Sequence, residues 1–151
     1  DHRREDLITM ISPVAFDSEA RSPLWKHFLK TIFRGDNQLI RFVQKAVGCC
    51  LTGNVSVQSM FILYGTGANG KSTFVNTIAT VLGDYACTTP TETLMQRKGD
   101  PAHNDIARLK GRRFVSAMET ELGGRLAESI IKRLTGNEPI SARFLYGEFF
   151  E

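Results

Sequence analysis

Two stretches near the start of the chain repeat apolar residues at the spacing of an amphipathic helix. The first begins at Pro23, directly after Ser22, and runs to Gly35, which is a typical start and end for a helix. The second begins near Asp36 and ends around Gly53. The pattern predicts two helices whose apolar stripes pack against each other. The stripes are Leu24, Phe28, Leu29, Ile32 and Phe33, then Leu39, Val43, Ala46, Val47 and Cys50.

The pattern changes at residue 61. Residues 61–64, Phe-Ile-Leu-Tyr, form a short apolar run that is followed by glycine, which predicts a buried parallel strand. After a glycine-rich turn, apolar residues recur with helical spacing from Phe74 to Leu82, and Gly83 ends this pattern. Strand, loop and helix in this order are half of a βαβ unit.

The rest of the chain alternates predicted strands and helices. A short helix is predicted over 105–109, a strand over 113–118, and a helix from Leu126 to Gly136. The last segment, 139–151, is rich in apolar and aromatic residues around a break at residues 147 and 148, which predicts a β-hairpin.

This alternation predicts an α/β fold with a parallel sheet. We expect a small helical collar subdomain over residues 1–58, followed by the α/β core over residues 59–151.

Composition limits the possible classes of protein. The chain has 151 residues, 42% hydrophobic and 23% charged, which is typical of a globular domain. Its formal net charge of +3 is too small to indicate a nucleic-acid partner by itself. Its apolar runs are far shorter than the ~20 residues of a membrane helix, and its start is not a signal peptide, so a cytoplasmic protein is expected. The three cysteines and three histidines lack the spacing of a disulfide framework or zinc site.

Residues 65–72, Gly-Thr-Gly-Ala-Asn-Gly-Lys-Ser, match the pattern G-x-x-x-x-G-K-[ST]. The match lies between a predicted strand and a predicted helix, which is where such a phosphate-binding loop works. Glycines at 65, 67 and 70 allow the backbone to wrap a polyphosphate with its N–H groups directed inward. The N-terminus of the following helix adds its positive dipole end.

The lysine and the serine at the end of this motif each have a chemical role in binding a nucleotide. Lys71 is expected to reach the β- and γ-phosphates, and the Ser72 hydroxyl to ligate the Mg²⁺ that bridges them. The sequence therefore predicts a site for a nucleoside triphosphate with magnesium. The predicted binding residues are Gly65, Thr66, Gly67, Ala68, Asn69, Gly70, Lys71, Ser72 and Thr73.

An acidic partner for the metal is expected at the end of the strand over 113–118. Glu119 and Glu121 follow it directly, and residues two apart along an extended chain point the same way. We assign Glu119 to the metal and Glu121 to the attacking water, although the residues support the reverse assignment almost equally well. The alternative is that both are solvated glutamates at a helix start, where the dipole favours acids.

Several motifs together resemble the helicase domain of phage and plasmid primase-helicase proteins, which belong to helicase superfamily 3 and are akin to the poxvirus primase-helicase. The likeness covers nearly the whole chain. The matching stretches are residues 23–29, 48–53, 65–73, 108–113, 119–121 and 134–148.

The resemblance implies an AAA+-like P-loop ATPase that uses ATP and Mg²⁺ to move single-stranded DNA through a hexameric ring and to unwind duplex DNA. It also implies a primase domain in the same full-length chain and a role in replicating a phage, plasmid or mobile element in the bacterial cytoplasm. Gly65, Gly70, Lys71 and Ser72 would be the Walker A residues. Glu119 and Glu121 would be the Walker B acids.

The resemblance also implies DNA contacts in residues 132–148. The candidates are Lys132, Arg133, Arg143 and Tyr146. A hairpin that carries Arg143 and Tyr146 into a channel could bind phosphates and stack on bases. The alternative for the aromatic residues of this segment is ordinary packing on the face of a strand.

A local basic segment precedes the predicted 113–118 strand. Arg108, Lys110, Arg112 and Arg113 place four positive charges within six residues. A solvated surface explains this segment slightly better than contact with nucleic acid does, since the residues lead directly into a core strand.

Superfamily 3 domains continue to a sensor asparagine and an arginine finger, and this sequence ends at Glu151 before either could occur. We therefore expect a C-terminally truncated piece of a longer protein that binds nucleotide and hydrolyses it weakly or not at all. An arginine finger alone is worth ~10³ or more in rate.

Two other functions use the same loop. A small-molecule or nucleoside kinase would pass the γ-phosphoryl group to a hydroxyl, and a nucleotide-gated assembly module would bind nucleotide without turnover. The glutamate pair and the predicted terminal hairpin argue against the kinase.

Overall fold

The computed structural model of the protein describes residues 3–96, 104–118, 125–136, 139–144, 147 and 149–150. Within these residues the chain is a mixture of helices and short strands, as the sequence predicts. The elements are α1 (Pro23–Ile32), α2 (Asn37–Thr52), α3 (Lys71–Leu82), β1 (Ala86–Pro90), α4 (Asn104–Ala107), β2 (Phe114–Met118), α5 (Glu128–Thr135), β3 (Ala142–Arg143) and β4 (Phe149–Phe150). None of the helices described is long and apolar enough to cross a membrane.

The chain divides into two compact units. The first unit comprises Asp1–Gly53 and Leu63–Tyr85, and the second comprises Asn54–Ile62 and Ala86–Glu151. The glycine-rich loop and α3 therefore belong to the same unit as α1 and α2. The organisation into a collar over 1–58 and a core over 59–151 stays a prediction.

Helices α1 and α2 lie where the periodicity predicts them. Pro23 is the first residue of α1, and Ser22 is its N-cap residue, although the Ser22 side chain makes no capping hydrogen bond. The Asp36 carboxylate caps α2 by accepting hydrogen bonds from the backbone N–H groups of Gln38 and Leu39. Gly53 ends α2 in the left-handed conformation.

An aromatic cluster joins α1 to α3 in the first unit. It consists of Trp25, Phe28, Phe33 and Phe74. Trp25 stacks on Phe28 and on Phe74, with ring centroids 5.2 and 5.8 Å apart, and Phe33 meets Phe74 edge to face. Leu29 of α1 and Phe74, Ile78 and Leu82 of α3 are buried. This packing fixes α3 along its buried side.

The C-terminal end of α3 is held by residues 10–13, which we name the N-terminal strap. The Ser12 hydroxyl donates to the Val81 carbonyl at 2.7 Å, which satisfies one of the last carbonyls of the helix. Ile11 and Asp84 exchange two hydrogen bonds, since the backbone N–H of each donates to an oxygen of the other at 3.1 Å. The Tyr85 hydroxyl donates to the Met10 carbonyl.

A parallel strand pair forms the sheet of the second unit. β1 pairs with β2 in the register Ala86 to Phe114 and Pro90 to Met118, so both strands end at the same edge. At that edge the Thr91 hydroxyl donates to the Met118 carbonyl at 2.6 Å. β2 was predicted from the sequence. β1, Ala-Cys-Thr-Thr-Pro, carries no run of apolar residues and was missed.

The rest of the second unit packs around a small apolar cluster. Ile106, Ala107 and Ala142 are buried there, with Ile130, Leu134 and Ile140 packed against them. β3 and β4 pair antiparallel, with Ala142 opposite Phe150, and this confirms the predicted hairpin. α5 confirms the predicted helix, although it begins at Glu128 rather than at Leu126.

The prediction of a buried parallel strand over residues 61–64 is wrong. In the structure this run has no regular secondary structure, and Tyr64 is 90% exposed. Among the described strands, the parallel sheet contains β1 and β2 alone. An apolar run shows that burial would be favourable, but it contains no information about the strand that would have to pair with it.

Replacing Gly83 by alanine is expected to lower the free energy of unfolding of the first unit by about 2 kcal/mol or more. Gly83 has a φ of +55°, and an added Cβ would overlap the Pro13 ring and lie 2.8 Å from the Ile11 carbonyl oxygen. Chemical denaturation followed by the fluorescence of Trp25, the single tryptophan, measures the change.

The matched control is Gly48→Ala in α2, where an added Cβ meets no atom within 4 Å. This alanine is expected to raise the free energy of unfolding by about 0.5–1 kcal/mol. Equal denaturation midpoints for Gly83→Ala and the wild type would contradict the strap as described.

Candidate functional site

The glycine-rich loop runs from residue 65 to residue 70 and ends where α3 begins. Gly65, Ala68 and Gly70 have φ values of +147°, +57° and +84°, whereas Gly67 is not in the positive-φ region. Positive φ at the alternate positions 68 and 70 is one element of the backbone pattern of anion-binding nests. The first turn of α3 contains no acidic residue that would oppose an anion at its N-terminus.

The last glycine of the loop lies directly against α1. A Cβ on Gly70 would lie 2.7 Å from Ile32 Cγ2 and 3.1 Å from the Phe28 ring. Its carbonyl oxygen also accepts the first hydrogen bond of α3, from the Phe74 N–H at 2.9 Å. Gly70 is thus needed both for its positive φ and for the close approach of a neighbouring helix.

The Lys71 side chain turns back over the loop. Its ammonium donates to the Gly65 carbonyl at 3.0 Å and to Asn69 Oδ1 at 2.8 Å. Lys71 itself is half-buried, while Asn69 is exposed. The positive charge is therefore placed at the N-terminus of α3, inside the curve of the loop.

The other predicted binding residues lie close to Lys71 in the sequence, on either side of it. Thr66 lies in the loop, and Ser72 and Thr73 are exposed residues of the first turn of α3. The Thr73 carbonyl accepts a hydrogen bond from the Thr77 hydroxyl within the helix. Ser72 directly follows the lysine in the chain.

Three predicted site residues lie outside the described part of the chain. These are Glu119 and Glu121, predicted to serve the metal and the attacking water, and Tyr146, predicted to contact DNA. Their roles stay predictions. The described part of β2 ends at Met118, directly before the first of them.

Two of the candidate DNA contacts, Lys132 and Arg133, lie in the last turn of α5. Cations at this end of a helix stabilise it through its dipole. Lys132 also forms an ion pair with Glu128 at 3.6 Å, and both side chains are about four-fifths exposed (78% and 82%). Such an exposed ion pair stabilises the helix by only about 0.3–0.5 kcal/mol. Lys132 would therefore exchange Glu128 for another anion at little cost. Arg143 is exposed on β3.

The basic segment over residues 108–113 lies in the turn between α4 and β2, with its charged side chains exposed. Part of this segment acts electrostatically on β1. Burial raises the pKa of the Cys87 thiol, and the positive charges of Arg112 and Arg108 partly oppose this rise.

Two features of the loop could not be found by reading the motif. The motif allows any residue at position 68, yet Ala68 adopts a positive φ that usually requires glycine. The contact of Gly70 with Phe28 and Ile32 was missed because it joins segments about 40 residues apart in the sequence. The helical period of α1 shows an apolar face, but it does not show which part of the chain covers that face.

The sequence matches no protein-family model. It is 30% identical over 123 residues to a protein of Acanthamoeba polyphaga mimivirus named "Putative helicase L207/L206". The alignment covers 80% of this chain and 13% of the mimivirus protein, so the chain spans a small part of its relative. The chain is therefore related in sequence to a helicase-named protein.

Gly70→Ala is expected to lower the free energy of unfolding of the first unit by about 2 kcal/mol or more, because the methyl group would require both a strained φ and a shift of α1. The matched variant is Gly67→Ala in the same loop, where an added Cβ meets no atom within 4 Å. Its stability is expected to be unchanged or about 0.5 kcal/mol higher. Denaturation followed by Trp25 fluorescence compares the two. Equal losses in both variants would contradict the close contact between the loop and α1.

Proposed function

We propose that this chain is the nucleotide-binding part of an ATP-dependent DNA helicase of the superfamily 3 primase-helicase type. The observation that carries the proposal is the Lys71 ammonium, which is held within a loop of nest-like backbone at the N-terminus of α3. The similarity to a helicase-named mimivirus protein supports the same assignment.

The residues of the loop fit a nucleoside triphosphate and its magnesium ion. The positive-φ positions at 65, 68 and 70 would allow the backbone to curve around phosphates, and the helix dipole would add positive potential there. Lys71 would neutralise charge on the β- and γ-phosphates, and the exposed Ser72 hydroxyl would ligate the metal. When bound, the magnesium-nucleotide complex supplies a phosphoryl group whose transfer to water releases energy.

The other residues have proposed roles around this loop. Glu119 would hold the metal and Glu121 would orient the attacking water, and the reverse assignment is almost equally well supported. Lys132, Arg133, Arg143 and Tyr146 would contact single-stranded DNA. A ring of six copies and a primase domain in the same full-length protein belong to the proposal as well.

Lys71→Ala is expected to weaken binding of ATP and magnesium at least about tenfold, since charge-assisted hydrogen bonds contribute about 1.5–3 kcal/mol. Isothermal titration calorimetry measures the dissociation constant. The matched control is Lys45→Ala, which removes an exposed lysine of α2 and is expected to leave the affinity unchanged. If Lys71→Ala binds as tightly as the wild type, the loop is not the nucleotide site.

Phosphate release with and without single-stranded DNA, measured on a longer chain that continues past residue 151, separates the possible activities. Release that increases with DNA and is lost in Lys71→Ala supports the motor. Phosphoryl transfer to a nucleoside, independent of DNA, would instead indicate a kinase. Tight ATP binding with oligomerisation, but with no release in this longer chain, would indicate a nucleotide-gated assembly module.

A further inference from the structure

The Lys71 ammonium has two hydrogen-bond acceptors, and they differ in kind. One is the backbone carbonyl of Gly65, which any residue at position 65 would supply. The other is the side-chain oxygen of Asn69, at the shorter distance of 2.8 Å. An ammonium group has three donors, so this arrangement leaves a third N–H for a ligand. The G-x-x-x-x-G-K-[ST] pattern does not specify the residue at position 69.

The Asn69 side chain lies across Gly65. A Cβ built on Gly65 would overlap the Asn69 amide nitrogen and would lie 4.0 Å from Lys71 Nζ. The space that the amide uses therefore exists because residue 65 has no side chain. Gly65, Asn69 and Lys71 form one small hydrogen-bonded group, in which the carboxamide connects the beginning of the loop to the lysine at its end.

We propose that Asn69 is a positioning residue that holds the Lys71 ammonium within the loop, ready to meet the phosphates of a nucleoside triphosphate. This inference rests on the nucleotide-binding function proposed above. A free lysine side chain loses much rotational freedom when a ligand fixes it, and this loss weakens binding. Because Asn69 already restricts the ammonium, the bound phosphates do not have to order the lysine themselves.

The chemistry of a carboxamide suits this role. Its oxygen accepts a hydrogen bond from the ammonium, but it carries no charge, so the lysine keeps its full attraction for phosphate. A carboxylate at the same distance would hold the lysine more tightly and would also offset its charge beside the anionic ligand. Alanine would release the lysine. Aspartate at position 69 would therefore restrain Lys71 more and alanine would restrain it less, but both replacements would weaken nucleotide binding.

The first measurement requires no nucleotide. The wild type, Asn69→Ala and Asn69→Asp are treated with an amine-acetylating reagent, and the rate of modification at Lys71 is measured by mass spectrometry relative to the exposed Lys45 in the same sample. Asn69→Ala is expected to increase the relative rate at Lys71 about fivefold, the equivalent of one hydrogen bond. Asn69→Asp is expected to decrease it.

The second measurement is the dissociation constant for ATP and magnesium at low and high salt. Asn69→Ala is expected to bind about fivefold more weakly at both salt concentrations. Asn69→Asp is expected to bind at least about tenfold more weakly at low salt, with a smaller difference at high salt because salt screens the added charge. Trp25 fluorescence during denaturation checks that both variants fold.

The results separate this inference from the function on which it rests. If the wild type binds no nucleotide, the proposed function fails, while the acetylation rates still report whether Asn69 holds Lys71. If the wild type binds ATP but Asn69→Ala shows unchanged acetylation at Lys71, the positioning role is wrong. Tighter ATP binding by Asn69→Ala would also overturn it, because Asn69 would then compete with the phosphates for the ammonium.

Discussion

The candidate site depends on the close approach of the chain to helix α1 at Gly70. At this residue the backbone lies against Ile32 and the Phe28 ring with no space for a methyl group. The same residue begins α3, since its carbonyl oxygen accepts the hydrogen bond that the Phe74 N–H donates. The position of α1 therefore determines where the loop ends, and the direction of α3 determines where Lys71 can reach.

Helix α3 is fixed at both ends by different interactions. At its N-terminal end, the aromatic cluster packs Phe74 against Trp25 and Phe33. This packing is stabilised mainly by the burial of apolar surface. At its C-terminal end, the N-terminal strap satisfies carbonyl and N–H groups with directional hydrogen bonds. Few side chains of the first unit are buried. These two sets of contacts therefore contribute a larger share of its stability than they would in a unit with a larger core.

Sequence reasoning succeeded where the signal is local. The start of α2 next to Asp36, the end of α2 at Gly53 and the hairpin of β3 and β4 are each specified by residues close together in the chain. The loop motif is local as well, and it correctly placed Lys71 at the start of α3. Reasoning failed for residues 61–64 and for β1, because strand pairing depends on a partner that is distant in sequence. The contact of α1 with the loop was missed for the same reason, and the roles of Glu119 and Glu121 stay predictions.

The strap also has a consequence for the order of folding during synthesis. Its hydrogen bonds join residues separated by 69, 73 and 75 positions in the chain. Closing so long a segment costs conformational entropy, and this cost precedes the favourable free energy of the contacts. Since translation proceeds from the N-terminus, residues 10–13 leave the ribosome long before Val81, Asp84 and Tyr85 are made. The first helices can form early, but the first unit cannot be completed until the helix that carries the loop has emerged.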